Sequence, residues 1–406
     1  MRMFCRFFGL ILAMVAACPP ARAQAEMPRS AVACYELGET HAQSKDWDAA
    51  LAAFDAALQR DAYFADAYYA RGLVREQTGL LNEALTDYNI YVSLRPEHVE
   101  ARFNRAQLRF RLEQYALALE DFKMLLYLPA GETTTVFFRQ NAFGGEVNQV
   151  FTAQGADNSY LHNYIGLALT KLQRLDEAVA AFDSALLKTP DADVLVNRGI
   201  AYEKMGKTDL ARLDYEAALQ RQPHHALAKH NLAVLSARTR PEETNVQLLD
   251  EAIDDNPALP YAWAERGHAR FLQGNYQGAL SDFSEAIRIN PAEAGYYLHR
   301  GQVYEKLHRS TDAYIDYTQA VKLDERDEKA WLHRGNLLTR LGRWQEAVED
   351  YSVALTHHPD YASAWYNRAL ARQRLGQLVH ACADLAMAEQ NGLVVPIKLK
   401  KQVCKE

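Results

Sequence analysis

From Ala31 to about Asn391 the chain repeats itself with a period of 34 residues, and that spacing restricts its fold more than any other feature. Ten repeats start at Ala31, Ala65, Val99, Ser159, Ala192, Ala226, Pro260, Ala294, Glu328 and Ala362. Counted from each start, position 4 is often a large aromatic (Tyr68, Trp263, Tyr297, Trp331, Trp365) and position 8 is small (Gly38, Gly72, Gly166, Gly199, Gly267, Gly301, Gly335). Position 20 is alanine in nine of the ten, position 24 is usually aromatic, and position 32 is often proline, as at Pro96, Pro257, Pro291 and Pro359. Each repeat therefore reads as two amphipathic helices. Apolar residues recur at helical spacing, the small residues at 8 and 20 allow close approach, and the proline stops the second helix. A lone helix pair cannot bury its apolar face, so the pairs are expected to stack into an α-solenoid.

A charge recurs on the packed side of the first helix. Position 7 is arginine at Arg71, Arg105, Arg198, Arg266, Arg300, Arg334 and Arg368, and in those seven repeats position 23 of the second helix is Asp87, Asp121, Asp214, Asp282, Asp316, Asp350 and Asp384. In the other three the pairs are Leu37 with Ala53, Ile165 with Ala181, and Leu232 with Leu248. Arginine and aspartate occur together or are missing together. We read Arg71 with Asp87, Arg300 with Asp316, Arg334 with Asp350 and their counterparts as structural bridges, since a planar guanidinium fork suits a carboxylate. Removing one member of a partly buried pair would leave the other charge uncompensated.

This pattern closely resembles the tetratricopeptide repeat family, secreted bacterial type, over Ala31 to about Asn391 apart from one insertion. The resemblance implies an all-α fold, a right-handed α-solenoid of about ten repeats, whose concave wall is made by the first helices at positions 2, 5, 6, 9, 12 and 13. It also implies protein or peptide partners. Position 6 is Asn104, Asn197, Asn231 and Asn367, with His299 and His333 in two others and Glu36, Ala70, Tyr164 and Glu265 between them. An asparagine amide offers a donor and an acceptor, so a file of them suits the main chain of an extended segment. The file looks like the asparagine ladder of the O-GlcNAc transferases, interrupted here. The alternative is that each asparagine bonds to the neighbouring repeat, as buried polar groups usually do. Aromatics at the same set of positions, Tyr69, Phe103, Phe110, Tyr160, Tyr164, Tyr261, Phe271 and Tyr366, favour a partner-binding groove. The chaperone-tail clamp of some relatives resembles a lysine at position 5 with an asparagine at 9 in the first repeat; Tyr35 and Glu39 stand there instead.

The array is broken once, at residues 133–158. Two runs rich in β-branched and aromatic residues, Thr133 to Arg139 and Val147 to Gln154, flank Asn-Ala-Phe-Gly-Gly, with Gly144 and Gly145 suited to a turn. The expectation is a β-hairpin that either covers apolar surface between repeats three and four or docks a partner strand or a second copy.

The first 23 residues, MRMFCRFFGLILAMVAACPPARA, combine a basic start, an apolar stretch from Phe7 to Ala17 and an Ala21-Arg22-Ala23 end, the layout of a secretory signal. A competing reading is a lipobox at Val15-Ala16-Ala17-Cys18, which would make Cys18 the lipidated first residue of an outer-membrane lipoprotein; Pro19 argues against it. Either way the expected location is the periplasm or beyond. Nothing after the leader is apolar for long enough to cross a bilayer. A net charge of -7 and a pI near 6.0 offer no broad cationic surface, which argues against nucleic acid as the main partner.

Cys34, Cys382 and Cys404 remain after the leader. Cys34, at position 4, is expected to pack. Cys382 and Cys404 resemble the C-terminal cysteine pair of other secreted tetratricopeptide proteins, a resemblance that implies a disulfide tying a capping helix within residues 392–406, opened by Pro396. Repeats at 31–132 and 159–391, hairpin and cap leave no room for an enzyme domain. His224-His225 and His357-His358 read as solvated loop histidines, and no metal, cofactor, phosphate-loop or nucleophile motif is present. The chain reads as a non-catalytic scaffold, or alternatively as an envelope component that self-associates through the hairpin.

Overall fold

The computed structural model describes residues 29–128, 135–139, 149–153, 158–187, 190–239 and 246–404. Residues 1–23, read above as a secretory leader, with Cys18, and Gly144 and Gly145, read as a turn, lie outside the described residues.

The chain divides into two compact units, residues 1–157 and 158–406. The first holds α1 (Ala31–Gln43), α2 (Trp47–Arg60), α3 (Ala65–Gln77), α4 (Leu81–Leu94), α5 (Val99–Arg111) and α6 (Tyr115–Leu125). It also holds β1 (Thr135–Arg139) and β2 (Gln149–Ala153), which pair antiparallel with Thr135 opposite Ala153 and Arg139 opposite Gln149. The second holds α7 (Ser159–Lys171), α8 (Leu175–Leu186), α9 (Ala192–Lys204), α10 (Thr208–Arg221), α11 (Ala226–Thr239), α12 (Val246–Asp255), α13 (Pro260–Leu272) and α14 (Tyr276–Ile289). It continues with α15 (Ala294–Lys306), α16 (Ser310–Leu323), α17 (Glu328–Arg340), α18 (Trp344–His357), α19 (Ala362–Arg374), α20 (Leu378–Gln390) and a short α21 (Ile397–Val403). Every first helix of a pair begins at the residue that opens a repeat. Within each unit the pairs stack in solenoid fashion, each helix packing on its own partner and on the next pair.

Local chemistry explains the boundaries. In several repeats the residue before the first helix caps it: Ser30, Asp191 and Asp327 accept backbone N–H groups, and His98 and His225 do so through Nδ1. Second helices end two residues before Pro96, Pro257, Pro291 and Pro359, because the residue preceding a proline is driven out of the helical region. Among the described residues, the turn inside a pair places position 15 in the left-handed region. Glycine fills it at Gly79, Gly206, Gly274, Gly342 and Gly376, but Lys45, Glu113, Gln173 and His308 adopt it too.

Position 8 is small because of position 24 more than position 20. A Cβ on Gly301 would lie 2.5 Å from the Tyr317 ring, and one on Gly166 2.5 Å from the Phe182 ring. Those rings, with Phe54, Tyr88, Tyr215, Phe283 and Tyr351, are fully buried between the two helices of a repeat. Position 4 fastens one repeat to the last: the indole N–H of Trp263 donates to Pro257 O at 2.9 Å, that of Trp331 to Glu325 O at 2.9 Å and that of Trp365 to Pro359 O at 2.7 Å.

All seven arginines at position 7 grip the aspartate at position 23 with two parallel hydrogen bonds, Nε to one carboxylate oxygen and Nη2 to the other. For Arg300 and Asp316 these are 2.7 and 2.9 Å, for Arg71 and Asp87 3.0 and 2.6 Å, and for Arg334 and Asp350 2.8 and 2.7 Å. The third nitrogen reaches backwards, a contact that pairing by position does not suggest. Nη1 donates to position 25 of the preceding repeat: Asp183 for Arg198, Asp250 for Arg266, Ser284 for Arg300 and Ser352 for Arg368. One side chain thus joins three helices of two repeats. In four repeats a second arginine at position 11 also donates to the aspartate, as Arg75 to Asp87 and Arg270 to Asp282. Burial alone would lower the Arg300 guanidinium, but the bonds to Asp316 outweigh it and its pKa rises above the ordinary arginine value.

The sixth repeat is built differently. It has Leu232 and Leu248 in place of the pair, and Lys229 at position 4 in place of an aromatic. Lys229, 7% exposed, ties α11 to α12 by ion pairs to Asp255 at 2.7 Å and Glu251 at 3.0 Å. His225, read from the sequence as a solvated loop residue, is buried: its Nδ1 accepts the Ala228 N–H and its Nε2 lies 3.0 Å from Asp193 of the fifth repeat.

At the C-terminus Pro396 caps α21, whose Val403, with Val395 before the helix, packs on Ala381, Leu385 and Ala388 of α20. Cys382 and Cys404 are joined, with Cα atoms 5.1 Å apart. Cys34 is buried and lies outside the disulfide.

Candidate functional site

The first helices carry the position-6 file, and most of its amides and imidazoles bond to side chains at positions 5 and 9 of the first helices. Asn104 Nδ2 donates to Tyr69 OH at 2.8 Å, Asn197 Nδ2 to Asn163 Oδ1 at 3.1 Å and Asn367 Nδ2 to Asn336 Oδ1 at 2.8 Å. Each bond crosses to the preceding repeat. His299 and His333 are linked through Gln302, whose amide oxygen lies 3.3 Å from His299 Nδ1 and whose nitrogen lies 3.0 Å from His333 Nε2. The ladder read from the sequence is therefore largely a set of staples between repeats. A one-dimensional sequence does not separate the two arrangements, because an asparagine suited to a peptide is equally suited to its neighbour.

The aromatics divide in the same way. Phe103 is 1% exposed and packs edge-on to Phe122, so it belongs to the core and not to a groove. Tyr69 packs against Tyr88, Tyr91 and His98, Phe110 against Tyr115, and Phe271 against Tyr276. Tyr164 is half-buried on α7.

The exception is Asn231. Its Nδ2, and Nδ1 of the adjacent His230, are buried without a hydrogen-bond partner among the described residues. Both residues line a cleft of about 420 Å³ across α9, α11 and α13. Ile200 and Val234 give it apolar lining; Glu203, Lys204, Arg238 and Glu265 supply charges of both signs. Glu203 is held by the Tyr215 hydroxyl and by Arg238 at 3.1 Å. Lys204 and Glu265 are exposed and carry no ion pair among the described residues. The His230 ring leans on Tyr261, centroids 4.6 Å apart, and its pKa is pushed down to about 4, by burial first and by the Arg238 charge second. At neutral pH the imidazole is uncharged.

The cleft can offer hydrogen bonds to a polar, uncharged group between charged rims. Among the described residues no three histidine, cysteine or carboxylate side chains converge as a metal site, and no helix is long and apolar enough to cross a membrane.

The architecture defines a class, the α-solenoid of stacked helical hairpins, and the comparison with protein families names it. Tetratricopeptide repeat models match residues 35–95, 69–132, 192–225 and 294–327, and TPR repeat matches cover 267–307 and 335–376. Together these span more than half of the chain, which belongs to the tetratricopeptide repeat family. The family generally mediates protein–protein interactions, and its repeats imply protein partners. No curated protein matches at a significant level. Among solved structures the chain is similar to YrrB, described as "a TPR protein with an unusual peptide-binding site", at 22% identity over 44% of this chain and 92% of that one, TM-score 0.39. It is also similar to a tetratricopeptide repeat protein from Parabacteroides merdae, at 18% identity over 61% and 98%, TM-score 0.44. A third likeness is to yeast Tom70, at 14% identity over 92% and 94%, TM-score 0.36.

Proposed function

We propose that this chain is a non-catalytic scaffold of the bacterial envelope that holds an extended segment of another protein against its first-helix wall. The observation that carries the reading is the contrast along position 6. Asn104, Asn197 and Asn367 are consumed between repeats, whereas Asn231 Nδ2, with Nδ1 of the adjacent His230 at position 5, has no hydrogen-bond partner among the described residues, and both residues line a cleft. Buried polar groups seldom lack partners, and an unmade bond costs about 1–3 kcal/mol, so a site with two of them is one where a ligand completes the set. Export to the periplasm or beyond is supported by the leader at 1–23 and by the joined Cys382 and Cys404, since disulfides persist in oxidising compartments.

Photo-crosslinking in cells tests the reading. A crosslinker at Lys204, on the cleft rim, is expected to give adducts with another polypeptide, and one at Val379 on α20 is expected to give none. Equal yields from both positions, or none from Lys204, would overturn it. A second reading, a lipoprotein anchored through Cys18 or a chain that self-associates through the β1–β2 ribbon, is favoured by Val15-Ala16-Ala17-Cys18 and by the two-stranded ribbon's small size. The mass of the mature N-terminus and the oligomeric state of the exported protein decide that one.

A further inference from the structure

We infer that the C-terminal end of the array, the last repeat with its cap, is a surface that docks on an anionic lipid bilayer, independently of the cleft. Three observations lead there. First, the charge at this end has the opposite sign to that of the whole chain. Residues 361–404 hold six basic and two acidic side chains in a chain whose net charge is -7. Arg368 and Arg372 are spent on Asp384, and Lys400 on Glu389 at 2.7 Å. Arg374, Lys398 and Lys401 are exposed and have no acidic partner among the described residues.

Second, the same end exposes aliphatic side chains that its packing does not use. Val395 and Val403, with Leu393 and Leu399 beside them, already seal α20. Val394 and Ile397, 92% and 74% exposed, take no part in that seal. On α21 the inward residues Leu399 and Val403 lie one turn apart, which sets Ile397, Lys398 and Lys401 on the opposite face. Val379, 83% exposed, lies one turn before Cys382 on α20, and Cys382 is joined to Cys404 at the end of α21, so it flanks the same cap. A cap that only closes a solenoid has a polar outer face. An outer face of valine, isoleucine and lysine suits a lipid interface, with the aliphatic groups at the acyl boundary and the ammonium groups at the phosphates. At seven residues α21 can lie on a bilayer but not cross it, and the disulfide fixes the surface before it meets a membrane.

Third, the other end of the array is built differently. α1 and the turn after it expose Glu36, Glu39, Asp46 and Asp48 against Lys45. An open solenoid end therefore does not itself call for a basic surface.

The probe is the exported protein, mixed with vesicles of equal parts phosphatidylglycerol and phosphatidylcholine or of phosphatidylcholine alone, and separated by flotation. Binding is expected to the mixed vesicles and not to phosphatidylcholine, and it should fall as added salt screens the cations. A cation near an anionic surface strengthens binding about fivefold, so Lys398→Gln with Lys401→Gln should weaken it about 25-fold. Lys398→Arg with Lys401→Arg keeps the charge and should bind as the parent does. Val394→Ser with Ile397→Ser should weaken binding while leaving its salt dependence in place. All four side chains are exposed, so the melting temperature should not change in any of these variants. No binding to the mixed vesicles, equal binding to both kinds, or binding that ignores Lys398→Gln with Lys401→Gln would overturn the inference. So would a dimer that sediments without lipid and is lost in Val394→Ser with Ile397→Ser, since the occupant would then be a second copy.

Discussion

Arg300 and Arg266 occupy the same position in neighbouring parts of the array, and the structure makes them unequal. Asp316 is 2% exposed and its two bonds come from Arg300; position 11 of that repeat is Tyr304. Asp282 is equally buried but is also held by Arg270 at 2.8 Å. Arg300→Leu therefore strands a buried carboxylate, whereas Arg266→Leu leaves Asp282 paired. A stranded carboxylate has two escapes at pH 7, staying charged at a cost of about 3–5 kcal/mol or taking up a proton. Raising its pKa from about 4 to 7 costs about 4 kcal/mol at 1.36 kcal/mol per unit, so the loss in Arg300→Leu is capped near that value. Arg266→Leu should cost about 1–2 kcal/mol, the scale of charge-assisted hydrogen bonds lost without a stranded charge. The cap predicts a pH dependence: the deficit of Arg300→Leu should shrink by about 1.4 kcal/mol per unit as the pH falls from 7 to 5, and Arg300→Leu with Asp316→Leu should recover most of it at pH 7. Segment-resolved hydrogen exchange, with urea unfolding as the global measure, is the suitable assay because repeat arrays open piecewise. Equal losses in the two single variants, or a double variant as weak as Arg300→Leu, would refute the bridge account.

Acid should weaken the second unit through His230. Its folded pKa of about 4 lies below the unfolded value near 6.5, so the unfolded chain binds the proton first; the stability is full above about pH 6.5 and is lost as the pH falls towards 4, by about 3 kcal/mol in all. His299 and His333 are lowered by burial and add in the same direction; His230→Gln should flatten the pH profile of thermal unfolding. His308→Gly relieves a left-handed backbone at an exposed turn and should raise stability by about 1 kcal/mol, whereas Gly342→Ala at the equivalent position should lower it, both read by urea unfolding. Cys382 and Cys404 close a loop with a sequence separation of 22, for which chain entropy gives about 3 kcal/mol; reduction should expose α21 to proteolysis before any other helix, and uniform digestion would count against it.

The repeat start points, the helix pairs and the seven arginine–aspartate pairings are legible in the sequence because each is an event inside a single repeat. A contact between positions 7 and 23 is sampled ten times in one chain, so the joint loss at Leu232 and Leu248 is as informative as the joint presence at Arg300 and Asp316. What lies between repeats leaves no such trace. The third nitrogen of each arginine takes whatever acceptor position 25 of the preceding repeat offers, aspartate, asparagine, serine or threonine, and a contact satisfied by four residue types shows no covariation. His225 is one residue from an exposed histidine in an apparently ordinary loop, and only the packing of α11 on the fifth repeat buries it. Position 6 shows the limit most clearly. Asn197 and Asn231 are the same residue at the same position of adjacent repeats, yet Nδ2 of one has a partner in Asn163 and Nδ2 of the other has none among the described residues. Residue type and spacing determined that an amide would stand on the first-helix wall; whether it is spent or open depends on which atoms the previous repeat brings within 3 Å or so, and that is decided by three-dimensional packing alone.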